Sequence, residues 1–149
     1  MTARSDFDDQ EWEQISEAPV TAGMIVLTAE HGGSFRETLA LSRAYVDARK
    51  EHGQSELLDD IAGGKPKFDR HKFHSEQELR DGGLKLVSDA AATVDRKATP
   101  EEAAAYRNFV IQVAQRVAEA HKEHGQQISP GEQAALDEVR KSLGAAAAS

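Results

Sequence analysis

Four glutamates and two histidines fall where they could share a cation. Glu30 and His31 precede Gly32-Gly33, and Glu37 follows in the first turn of the next predicted helix. Glu123 and His124 precede Gly125, and Glu132 takes the corresponding place after it. Carboxylate oxygens suit calcium, magnesium or manganese, and imidazole adds affinity for zinc or manganese. If two halves of the chain pack about a pseudo-twofold, Glu30, His31, Glu37, Glu123, His124 and Glu132 converge on one divalent cation. A structural role competes, because Glu37 and Glu132 also fit the acidic position of a capping box. A third Glu51-His52-Gly53 occurs, and the pentapeptide 50–54 is identical to 122–126. The motif therefore also reads as a helix ending, with His and Lys facing the helix dipole and Gly forming the cap. On that reading no cofactor is expected.

A second concentration of chemistry lies at 65–74, where four Lys or Arg stand against one Asp in a chain of net charge −8. Lys67, Phe68, Arg70, His71, Lys72 and Phe73 interleave cations with phenyl rings, a pattern suited to gripping an acidic or phosphate-bearing partner. The alternative is a loop whose rings anchor it to the core while its charges stay solvated. Asp69, His71 and His74 could also ligate a metal, although His-x-x-His outside a helix has no fixed geometry.

Reaction motifs are missing from the sequence. There is no Gly-x-Ser-x-Gly elbow, phosphate-binding Gly-x-x-x-x-Gly-Lys, dinucleotide Gly-x-Gly-x-x-Gly or His-Glu-x-x-His. No histidine has Glu three residues before it, so the Glu-x-x-His pairs of di-iron bundles fail as well. Absence of cysteine excludes disulfides, thiolate zinc sites and cysteine nucleophiles. With 26 Asp and Glu against 18 Lys and Arg, binding of nucleic acid by the whole domain is disfavoured electrostatically. No apolar run approaches the ~18 residues of a membrane span. Residues 1–10 show no cationic start followed by an apolar stretch. The expectation is a non-enzymatic, cytoplasmic chain whose partner is a protein.

The elements that must position these residues are marked by their ends. Ser34 with Glu37, Ser75 with Glu78, Thr99 with Glu102 and Ser129 with Glu132 read as capping boxes. Pro100 and Pro130 fit the first helical position, and Gly53, Gly125 and Gly144 fit helix ends. Helices are predicted at 9–16, 19–31, 34–52, 55–62, 76–95 (with a break at Gly82-Gly83 left open), 100–124 and 130–143. Tyr106, Phe109, Val110, Val113, Val117 and Ala120 give the clearest one-sided stripe. The run Met24-Ile25-Val26-Leu27 could also be read as a strand, but no other segment pairs with it. The segment 20–29, apolar nearly all round, is expected to be the central helix. Trp12 is expected to act as a hydrophobic lid. These elements predict an all-α fold over 1–149: a single compact bundle of about seven helices, with frayed ends at 1–7 and 144–149 and with two pseudo-repeated halves left open.

The paired halves resemble the tellurite-resistance TerB-like family. The match is carried by Val117-Ala118-Glu119-Ala120, Gly125, Ile128 to Glu132, Leu136 and Leu143-Gly144 in one half, and by Thr28-Ala29-Glu30, Gly32 and Glu37 in the other. It covers about half the chain. The resemblance implies a compact helical domain of two similar halves and a role in a tellurite or general stress response. Both turns lack the aspartate of the family's Ala-Asp-Gly: Glu30-His31 stands at the first and Glu123-His124 at the second.

Overall fold

The computed structural model describes residues 4–28, 43, 61, 75–119 and 130–144. Within them lie a 3-10 turn, Arg4–Asp6, and four α-helices: α1 (Asp9–Thr28), α2 (Glu76–Lys97), α3 (Pro100–Glu119) and α4 (Pro130–Ser142). No strand occurs among the described residues. Against the expectation of about seven helices, the described residues hold four. The predicted element 9–16 and the described part of 19–31 are one helix, Asp9–Thr28. The predicted helices at 34–52 and 55–62 lie outside the described residues apart from Arg43 and Ile61, each of which is helical.

Pro19 stands inside α1 and does not end it. A proline in a helix interior has no amide hydrogen for the carbonyl four residues back, here that of Ile15. The Tyr106 hydroxyl on α3 donates to that carbonyl at 2.8 Å, in a fully buried setting. A tertiary hydrogen bond thus replaces the missing rung, and the helix continues. Upstream, α1 is started by a reciprocal box in which the Glu11 amide donates to Asp8 Oδ1 (2.8 Å) and the Asp8 amide donates to Glu11 Oε1 (2.9 Å).

α2 begins at Ser75, whose hydroxyl accepts from the Glu78 amide at 3.1 Å. It runs unbroken through Gly82-Gly83, and the reason lies in its neighbour. A Cβ at Gly83 would stand 2.9 Å from both Ile25 Cδ1 and Thr21 Cγ2 of α1. Glycine here admits a close approach of α1 to α2 and terminates nothing. α2 stops at Lys97, with the Ala98 amide donating to the Val94 carbonyl and Pro100 two residues further on.

The start of α3 is a complete capping box, with Glu102 and Thr99 each donating a backbone amide to the other's side chain. Its buried stripe contains Tyr106, Phe109, Val110, Val113 and Val117, as its periodicity predicts. α4 buries Ala135, Leu136 and Val139, and it ends on Gly144 at φ 74°, the left-handed conformation glycine accepts at a helix end. The core gathers Ile15, Ile25, Val26, Val87, Val94, Val113 and Leu136 from all four helices, with Ile61. α1 lies most extensively against α2 and α3 and also touches α4. The run 24–27 is part of α1, not a strand.

Polar ties hold the ends together. The Arg107 guanidinium donates to Asp95 at the end of α2 (2.7 Å from Nη1 to Oδ1) and, through Nε, to the Leu143 carbonyl after α4 (2.6 Å). Arg80 joins α2 to Glu138 of α4 at 2.7 Å. At the other edge, Phe7 is buried beside Trp12, with ring centroids 6.0 Å apart.

Candidate functional site

Among the six proposed cation ligands, Glu132 alone lies within the described residues. It sits in the first turn of α4 with only 1% of its surface exposed. Glu30, His31, Glu37, Glu123 and His124 lie outside them, as do the basic-segment residues Lys67, Phe68, Arg70, His71, Lys72 and Phe73. All six histidines of the chain fall outside as well. Among the described residues no group of three or more His, Asp or Glu could hold a metal ion.

The described residues instead bring together an acidic cleft of about 400 Å³ between the first half of α1 and α2. Gln10, Glu13, Gln14 and Glu17 line one wall at a spacing of three, four and seven residues, which places them on a single stripe of the helix. Asp8 and Glu11 extend that wall at the helix start, and Leu86, Thr93 and Arg96 of α2 face it. Four carboxylates thus stand against one guanidinium. Glu13 is exposed, whereas Glu17 keeps 7% of its surface in contact with solvent.

Arg96 and Lys97 set the electrostatics at the outer end. Lys97 Nζ donates to Glu11 Oε1 at 2.5 Å and to the Asp6 carbonyl at 3.2 Å, and it lies 5.8 Å from the centre of the Phe7 ring. Arg96 Nη2 is 3.9 Å from Glu11 Oε2 and donates to Thr93 Oγ1 at 3.3 Å. The Lys97 hydrogen bond, with that from the Asp8 amide, holds the Glu11 carboxyl below the usual carboxylate range. Glu11 is therefore fixed by its cap and its ion pair, while Glu13 presents its charge to solvent.

Sequence reasoning passed over this wall because polar residues on a short helix read as an ordinary solvated face. The available signal was Gln10-x-x-Glu13-Gln14-x-x-Glu17, one stripe carrying no cation. The Asp8–Glu11 box was also missed, because only Ser and Thr were considered as caps, although Asp serves as well. Compared with protein-family models, with curated proteins and with solved structures, the chain finds no match.

Proposed function

We propose that the chain is a non-enzymatic interaction module that takes a Lys- or Arg-rich protein segment into the cleft between α1 and α2. The observation that carries this reading is the lining itself: Asp8, Glu11, Glu13 and Glu17 outnumber Arg96 around about 400 Å³, with Lys97 pairing Glu11 at the outer end. A surface on which one sign of charge predominates raises the local concentration of oppositely charged groups and speeds their encounter. The carboxamides of Gln10 and Gln14 add donors and acceptors beside the carboxylates, and Leu86 offers an apolar contact for the stem of a lysine or arginine. The chain's net charge of −8 favours the same class of partner at long range. The resemblance to TerB-like proteins supports a role in a tellurite or general stress response.

A fluorescently labelled Lys/Arg-rich peptide, titrated with the full chain and followed by anisotropy, tests the reading. Binding is expected to weaken as salt rises and to weaken about two- to fivefold in Glu13→Gln, since an exposed ion pair contributes about 0.2–1 kcal/mol. A Glu/Asp-rich peptide of equal length should not bind. Equal binding of both peptides, or binding indifferent to Glu13→Gln, would overturn it.

A further inference from the structure

We propose that residues 4–18 form an arm that opens as a unit about Pro19, latched shut by Tyr106 and Lys97. The backbone ladder of α1 lacks one rung at Pro19, and the Ile15 carbonyl is held by a side chain from another helix. The arm carries its own helix start, the Asp8–Glu11 box, and rests on the core through Phe7, Trp12, Ile15 and Ala18. Burial also changes character at this point. In 20–26 every residue except Met24 is buried, whereas in 9–18 only Trp12, Ile15, Glu17 and Ala18 are. Segments with fewer buried contacts open at lower free energy than the core they rest on.

The outer end of the arm is closed chiefly by Lys97, with Arg96 Nη2 at 3.9 Å from the same Glu11 carboxylate. Lys97 reaches Glu11, the Asp6 carbonyl and the Phe7 ring, and it belongs to the last turn of α2, which stays with the core. Ion pairs of this partly exposed kind hold weakly. The arm supplies the acidic wall of the cleft, so its opening widens that cleft. This consequence rests on the binding reading above, whereas the opening itself does not.

Hydrogen–deuterium exchange of the free full-length chain in low, non-unfolding urea tests the opening without any ligand. The informative amides are 12–18, whose helical acceptors lie within 8–14, and 23–26, whose acceptors lie at or beyond Pro19. The arm amides are expected to exchange at least tenfold faster than 23–26, with a shallower dependence on urea. Lys97→Met is expected to speed the arm amides about two- to fivefold. Pro19→Ala restores the rung and is expected to draw the two classes together. Equal protection and equal urea dependence of the two sets in the unaltered chain would overturn the proposal, as would an arm unaffected by Lys97→Met.

Discussion

Tyr106→Phe removes one oxygen from the core and leaves the ring in place. The Ile15 carbonyl then loses the donor that stands in for the Pro19 amide, at a position with no access to water. Leaving a buried acceptor unsatisfied costs about 1–3 kcal/mol. For a chain of this length that corresponds to a fall in Tm of roughly 2–12 °C. Pro19→Ala supplies an amide hydrogen at the correct place in the ladder and relieves the roughly 3 kcal/mol penalty of an interior proline, offset in part by the freer unfolded chain. In the Pro19→Ala background the carbonyl already has a donor, so Tyr106→Phe should cost about 1 kcal/mol or less. The coupling between the two sites is therefore expected to be about 1–2 kcal/mol, within the range of directly interacting residues. Urea unfolding followed by helical circular dichroism at 222 nm, with all four chains at one protein concentration, gives the cycle. A Tyr106→Phe cost that is the same in both backgrounds would refute the substitution of the hydroxyl for the missing rung.

The remaining expectations concern packing and charge. Gly83→Ala should destabilise by about 1 kcal/mol net, because overpacking against Thr21 and Ile25 exceeds the roughly 1 kcal/mol gained in helix propensity; in a Thr21→Ser background the cost of Gly83→Ala, read from urea midpoints, should shrink. Val113→Asp places an unpaired carboxylate at a position with no exposed surface, and cooperative thermal unfolding should vanish from its calorimetric trace. The Glu11 carboxyl titrates below its ordinary 4.5 in the folded chain. Its contribution is therefore full above that value and lost as pH falls through the lowered folded one, so stability should drop less on acidification in Glu11→Gln than in the unaltered chain.

Local signals were legible where the physics is local. Ser75 and the Thr99–Pro100 start cap their helices through atoms a turn away, and Gly144 ends α4 through its own backbone conformation. The α3 stripe was legible because its period is a property of one helix. Pro19 misled because its compensation comes from Tyr106, far along the chain and invisible to any window around residue 19. Gly82-Gly83 suggested a break for a similar reason: what Gly83 accommodates is α1, not a turn. The cleft is a property of two helices together. Gln10, Glu13, Gln14 and Glu17 are unremarkable polar residues until Leu86, Thr93 and Arg96 are placed opposite them. The turn glutamates Glu30, Glu37 and Glu123, with the basic segment, belong to stretches outside the described residues, so the cleft rests on other residues entirely.

The central claim is that a cationic segment enters the cleft between α1 and α2. Backbone amide chemical shifts of the isotope-labelled chain, recorded while an unlabelled Lys/Arg-rich peptide is added, test it most directly. The account predicts shifts concentrated at 8–17 of α1 and at Leu86, Thr93 and Arg96 of α2, saturating with peptide and diminishing as salt is raised. Shifts confined to α4, or none at millimolar peptide, would contradict it.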